Sequence, residues 1–414
     1  MDRSARRDGP RVLLVGYNGA NNTGAEALLQ ADLRDLRSLL PDAQVTVPTL
    51  SEANLRRYLK EGPDLRIEPM PTIFFRKVER LVRDHDLVML VEGSAYMDTW
   101  TSALLWYFLW ATHCARSLGK PCLAYAVDAG DLSPLNRWLV RRVASRTGLI
   151  VTRARAAAER LRSCGVTAPI EVTADNALTF EANPEDEGWV ERDWSAAKKG
   201  AIGLAVVDFH LWPVVIRPWG RREDCYRWPY YFSRSPEREQ VTARLAQGYA
   251  DLADGLIGEQ GRPVALICME QLDEPLARRI HGLMKHPEAV RVFSSSQCDA
   301  SQMTALLQTL GVLATSRYHA AILSLRAHVP QVAVGHDLRL KSLYGELGLE
   351  DDYFLDPDCP DLWSRLQERL RQLLADPEPM RERLRRGHED LAARAAQNRP
   401  LLRRFLTEHG WAPA

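Results

Sequence analysis

The chain has 414 residues, 46% hydrophobic and 26% charged, the balance of a soluble globular protein with room for about two domains. Lysine plus arginine and aspartate plus glutamate both total 54, so the formal net charge is zero, which argues against a nucleic-acid partner held by bulk electrostatics. The 7 cysteines include no C-x-x-C pair, which argues against a disulfide framework or zinc site and for a reducing, cytoplasmic compartment.

The first ten residues are polar, and the apolar run Val12-Leu13-Leu14-Val15 is too short for a signal-peptide core. Residues 11–15 predict a strand, followed by a Gly/Asn loop and a helix over 25–40. Strands are predicted at 44–47 and 86–91, a helix over 101–118 and a strand over 122–127. A helix over 135–145, a strand over 148–152, a helix over 154–164 and a strand over 170–173 complete the series. Such alternation predicts a parallel sheet with helices on both faces. The apolar stretch 103–111 is about half the length of a bilayer span, so it predicts a buried helix and no membrane span. Residues 181–199 are polar, lack an apolar rhythm and predict a linker between a first domain, 1–180, and a second, 200–375. There the strands 201–207, 263–268, 290–293 and 311–315 alternate with helices over 237–258, 274–285 and 303–310. Two such α/β units put a ligand crevice between them, at the carboxyl ends of their strands. The remainder, 376–414, predicts a charged helical tail with a solvated face.

The most informative segment is SRYHA, residues 316–320, at the start of a buried helix that Val329-Pro330 would stop; residues 331–334 then predict a strand. A helix start offers free N–H groups and a partial positive charge, which suits an anion. Arg317 adds a fork of donors for carboxylate or phosphate, and His319 adds proton exchange near neutral pH. The first loop, GYNGANNTGAE (16–26), lies between a strand and a helix, where phosphate-binding loops sit. Thr23 as N-cap with Glu26 at the third helical position fits a capping box, leaving Asn21 or Asn22 to face a ligand. Acids follow three other strands of this domain: Glu92, Asp128 and Asp175. Each is a candidate base or site residue, and each could instead cap a turn or helix.

In the second half, residues 208–231 mix aromatics and arginines: His210, Trp212, Arg217-Pro218-Trp219, Arg221, Arg222, Tyr226, Arg227, Trp228, Tyr230 and Tyr231. Such a mixture suits a sugar ring plus an anionic group, or a loop packed on the domain edge. Asp273, in MEQLD (269–273), is a site candidate or the N-cap of the helix that follows. Arg339 and Lys341, in HDLRLK (336–341), could neutralise a phosphate or belong to a solvated loop.

These segments, in this order, resemble the polysaccharide pyruvyl transferase family. The resemblance rests on GYNGANNTGAEAL (16–28), the Ala174-Asp175 pair, Arg217-Pro218-Trp219, Met269 with Asp273, and SRYHAAILSLRAHVPQVAVGHDLRLKSLYGELGL (316–349). It implies two Rossmann-like domains with parallel sheets facing across a cleft, similar to GT-B glycosyltransferases. It also implies transfer of the pyruvyl group of phosphoenolpyruvate to two hydroxyls of a sugar-containing acceptor, with release of phosphate. On that reading Arg317, Arg217, Lys341 and His319 bind the donor, and His319, Arg317 and Asp175 are catalytic. Asn21, Asn22, Glu26, Glu92, Asp128 and Trp219 lie on the acceptor side. No metal or cofactor is expected beyond phosphoenolpyruvate itself. The family pattern is altered at Ala25, at Glu92-Gly93-Ser94 and at 127–131, all in the first domain, which points to an unusual acceptor. The rivals are a GT-B-like glycosyltransferase using a nucleotide sugar and a degenerate member that binds a ligand without chemistry.

Overall fold

The computed structural model describes residues 9–208, 214–223 and 226–414; His210, Trp212 and Cys225 lie outside the described residues. Seven strands form the first sheet: β1 (Arg11–Val15), β2 (Gln44–Thr49), β3 (Leu65–Pro69), β4 (Leu87–Leu90), β5 (Cys122–Val127), β6 (Leu149–Thr152) and β7 (Ile170–Val172). They are parallel throughout, in the order β3-β2-β1-β4-β5-β6-β7. Successive side chains of a strand point to opposite faces, and the core divides accordingly. Leu13, Val15, Val88 and Leu90 pack under the helices Phe75–Asp84, Ser102–Ser117, Pro134–Ala144 and Arg155–Cys164. Val12, Leu14, Leu87 and Met89 pack under the helix Thr23–Leu39 on the other face. Residues 103–111 lie within the helix Ser102–Ser117, and no helix of the described residues is long and apolar enough to cross a membrane.

The second domain repeats the plan with β8 (Ile202–Ala205), a small antiparallel hairpin of β9 (Val214–Ile216) and β10 (Tyr230–Phe232), then β11 (Val264–Cys268), β12 (Val290–Ser294), β13 (Val312–Thr315), β14 (Gln331–Val334) and β15 (Phe354–Leu355). Its parallel sheet runs β12-β11-β8-β13-β14-β15. Both sheets therefore change direction of winding beside their first strand, between β1 and β4 and between β8 and β13. Such switch points open a crevice at the carboxyl ends of the strands. Tyr17, Glu92, Val207 and Arg317, which follow these four strands, all border that crevice.

The polar segment after the first domain folds onto the second rather than running free. Trp189 donates from Nε1 to the Gln302 carbonyl at 3.0 Å and sets its ring 6.0 Å from Phe293. The last helices split between the domains. Helix Glu378–Ala395 buries Met380, Leu384 and Leu391 in the second core, and its charged face carries exposed pairs such as Arg385–Glu389. Helix Asn398–Glu408 crosses back and buries Leu402, Phe405 and Leu406 against the first sheet.

Candidate active site

The helix that follows β1 starts one residue earlier than a Thr23 cap would have it. Asn22 is the N-cap, its Oδ1 accepting from the Ala25 N–H at 3.1 Å. Thr23 is the first helical residue, and its N–H, which has no acceptor within the helix, donates to the Met269 carbonyl of the second domain at 2.9 Å. This strand-like contact between the loops after β1 and β11 is one seam between the domains. Arg57 is another: its guanidinium donates to Asn21 Oδ1 at 3.0 Å and to the Ser295 and Ser296 carbonyls at 2.9 and 2.8 Å. Asn21, at φ +48°, turns its Nδ2 to Gln271 at 2.6 Å, so it joins the domains rather than facing the cleft.

Between the seams lies a cavity of about 250 Å³. The first domain contributes Tyr17, Asn22, Gly24, Glu92 and Ser94; the second contributes Glu270, Arg317, His319, His336 and Arg339. Glu92 is buried and anchored by backbone, accepting from Tyr17 N–H at 3.3 Å and Ser94 N–H at 3.1 Å. It therefore shapes its own turn and still borders the cavity.

His319 sits in the first turn of the short helix Tyr318–Ser324. Its Nε2 lies 3.5 Å from Asp175 Oδ2 and 3.5 Å from Arg153 Nη1. Arg153 is fully buried. It donates to Asp175 Oδ2 at 2.6 Å and to Asp128 Oδ2 at 3.0 Å, and lies 4.3 Å from the Tyr318 ring centre. Burial alone would raise the Asp175 carboxyl, but the guanidinium of Arg153 and the imidazole of His319 outweigh it and hold Asp175 well below the usual carboxylate range. Asp175 also accepts from the Ala177 N–H at 2.8 Å, so its turn-capping and site readings both hold geometrically. Asp128 accepts from Ala129 N–H at 2.8 Å and belongs to this ion chain behind the histidine, not to the cavity wall.

Two glycines make the arrangement possible. A Cβ at Gly24 would lie 1.9 Å from His319 Nδ1, and one at Gly93 would lie 2.3 Å from Arg153 Nη1. The first helix thus lets the imidazole of the other domain rest on its opening turn, and the loop after β4 lets Arg153 pass.

Arg317 is not a free clamp. Its Nε donates to Asp273 Oδ2 at 2.9 Å, its Nη2 to Asp273 Oδ1, and its Nη1 lies 3.2 Å from Glu270 Oε2. Burial disfavours its charge, but Asp273 and Glu270 more than compensate, and the proton is held more tightly than in an ordinary arginine. Asp273 does not cap the following helix; its side chain accepts from Glu270 N–H at 3.1 Å in a capping box with Glu270 as the N-cap. Arg339 is gripped by Asp337 at 2.6 Å and reaches across the cleft to Ser94 Oγ at 3.1 Å, with Trp100 centred 5.2 Å away. The lining carries four carboxylates, Glu92, Asp131, Glu270 and Asp337, against two arginines, so an anion has to compete for arginines that are already engaged.

Other expected residues lie elsewhere. Arg217 donates to the Phe232 carbonyl at 3.0 Å and rests 5.8 Å from the Tyr231 ring centre. Trp219 is 74% exposed, and Lys341 is half-exposed beside Glu350 at 3.4 Å. None of the three lines the cavity. Glu26 is buried at the domain seam near Arg57 and Asp299, and burial pushes its carboxyl up to about 8. Arg153, Arg339 and Glu270 carry much of the site's electrostatics. A strand-end arginine or acid was the available signal, and Arg153, directly after β6, had it. His336 also lies with Asp356 and Asp358 in an exposed trio whose ligand atoms are within 4.8 Å of one another, a grouping common without an ion.

The fold has many solved likenesses. The complex of S. aureus MnaA with UDP matches at TM-score 0.62 and 9% identity, over 97% of this chain and 97% of that one. UDP-GlcNAc 2-epimerase from Neisseria meningitidis bound to UDP-GlcNAc matches at 0.59 and 10%, over 96% and 100%. Anabaena Alr3699/HepE in complex with UDP matches at 0.55 and 12%, over 96% and 100%. At these identities the likeness shows the fold alone, two parallel α/β domains of the GT-B type. Comparison with curated proteins finds no match. The family model for polysaccharide pyruvyl transferase matches residues 22–337, three quarters of the chain and all the cavity-lining residues named above except Tyr17 and Arg339, and the chain belongs to that family.

Proposed function

We propose that this protein transfers the pyruvyl group of phosphoenolpyruvate to two hydroxyls of one sugar in its acceptor, forming a cyclic ketal and releasing phosphate. The observation that carries this reading is the seat of His319. Its Nε2 is turned to Asp175 and Arg153, so Nδ1, at the Gly24 edge of the cavity, is the nitrogen left to exchange protons with a bound molecule. Asp175, itself held by Arg153, fixes the orientation of the ring from the Nε2 side.

In this scheme imidazolium His319 protonates the methylene carbon of the donor, making C2 electrophilic. One sugar hydroxyl adds to C2 and gives up its proton, for which Glu92 on the opposite wall is the base. The second hydroxyl then displaces phosphate, its proton leaving with the phosphate, and the new methyl group keeps the proton from His319. Arg339 and the Glu270 edge of Arg317 face the donor's anionic groups, the donor competing with Glu270 for Nη1. No metal or cofactor enters these steps, and a reducing, cytoplasmic setting is part of the same proposal. His319→Asn is expected to keep the thermal stabilisation given by phosphoenolpyruvate while phosphate release falls by at least about a hundredfold. Turnover retained in that variant would remove His319 from the scheme.

A further inference from the structure

A second chamber of about 390 Å³ adjoins the reaction cavity, and Tyr17, Leu104 and Tyr226 line both. It lies between the first domain and the β9–β10 hairpin. Its walls are mainly apolar: Met70, Pro71, Phe74, Leu104, Tyr107 and Tyr230. Several of the polar side chains that border it are engaged within the protein, while Thr72, Tyr107, Arg222 and Arg227 also reach its wall. Thr49 Oγ1 donates to the Asn18 carbonyl at 3.2 Å, Ser51 Oγ accepts from Asn54 N–H at 3.4 Å, and Asn54 Nδ2 donates to the Gly19 carbonyl at 3.0 Å. Gln271 Oε1 accepts from Asn21, Tyr230 donates to the Thr72 carbonyl at 3.3 Å, and the Tyr17 and Tyr226 hydroxyls meet at 3.0 Å.

Against the apolar stretch of this wall a sugar ring would leave hydroxyls unmatched, which is costly. An apolar group would gain by leaving water. We infer that this chamber holds the apolar aglycone of a glycoside acceptor whose sugar occupies the reaction cavity, which rests on the acceptor reading above. The aglycone enters past Tyr17 and Tyr226, and exposed Arg222 and Arg227 stand at the mouth. The transfer chemistry alone does not need this chamber; the acceptor that fills it is a glycoside carrying an aryl or short alkyl substituent at its anomeric carbon.

The test compares benzyl and methyl glycosides of the same pyranoses. Binding to the full-length protein is followed by calorimetry and by saturation-transfer NMR, and phosphate release from phosphoenolpyruvate is recorded in parallel. Benzyl glycosides are expected to bind about tenfold tighter than their methyl counterparts, with saturation concentrated on the phenyl protons. Leu50→Gln changes a wall residue that is 41% exposed, so the fold should tolerate it. It should cut that preference to about threefold or less. Equal affinities, a preference untouched by Leu50→Gln, or no benzyl glycoside bound at low-millimolar concentration would overturn the inference. A benzyl preference without phosphate release would sink the transfer reading and leave the chamber standing. Phosphate release with equal affinities would do the reverse.

Discussion

Gly24→Ala separates two opposite expectations. In an isolated helix, alanine in place of glycine is worth about 1 kcal/mol, so a free helix start would be stabilised. Here the added Cβ would lie 1.9 Å from His319 Nδ1, whereas ordinary contact begins at 3.4 Å, so the ring or the helix must yield by about 1.5 Å. The helix start is tied to the second domain through the Thr23 N–H and the Met269 carbonyl, and Arg57 straps the same seam. The ring is therefore the part that moves, and doing so disturbs its 3.5 Å contact with Asp175. The methyl group also covers the nitrogen assigned to proton exchange. A misplacement of about 1 Å at a reacting group can cost about a hundredfold, so kcat should fall by at least that factor. Phosphate release under saturating donor, with a thermal melt on the same preparation, gives both readouts. Unchanged kcat with a raised melting temperature would refute the packing of His319 on Gly24.

Three further outcomes follow from the same geometry. Arg153→Met leaves Asp128 and Asp175 buried without their cation, and a urea melt should show a loss of about 3–5 kcal/mol; a loss under about 1 kcal/mol would contradict the ion chain. Glu26 holds its proton in the folded state up to about pH 8, against an ordinary value of 4.5. Between those values the unfolded chain has lost a proton that the folded chain keeps, so stability is full at and below about pH 4.5 and declines as pH rises toward 8. Glu26→Gln should flatten that slope and at pH 8 be more stable than wild type by on the order of 3 kcal/mol, as melts at pH 5 and 8 would show. Ser94→Ala removes the oxygen that meets Arg339 across the cleft at 3.1 Å and should raise KM for the donor a few-fold with little change in kcat.

The repeated strand–helix rhythm was legible because buried parallel strands are near-continuous apolar runs, as in Leu87–Leu90 and Cys122–Val127. β3 was not legible, because Leu65–Pro69 alternates Arg66 and Glu68 with apolar residues at the sheet's edge. The two-residue β15 leaves no pattern at all. The cap lies one position before Thr23 because both residues are good caps by type, and it is the Asn22 side chain that reaches the Ala25 N–H. The return of the last helix to the first sheet had a signal, Leu402, Phe405 and Leu406 at helical spacing, hidden among arginines. His319 and Asp175 were recognisable singly, yet their 3.5 Å approach joins residues from different domains. Arg317 looked like an anion clamp because its partners, Glu270 and Asp273, lie more than forty positions away in sequence.

The donor is the central claim, and a single NMR experiment addresses it. Phosphoenolpyruvate and a benzyl glycoside are incubated with the protein while phosphorus and proton spectra are recorded together. The account predicts that inorganic phosphate appears in step with a new methyl singlet of the ketal, and that both vanish in His319→Asn. Phosphoenolpyruvate left intact while a UDP-sugar supplied in its place is consumed would contradict it.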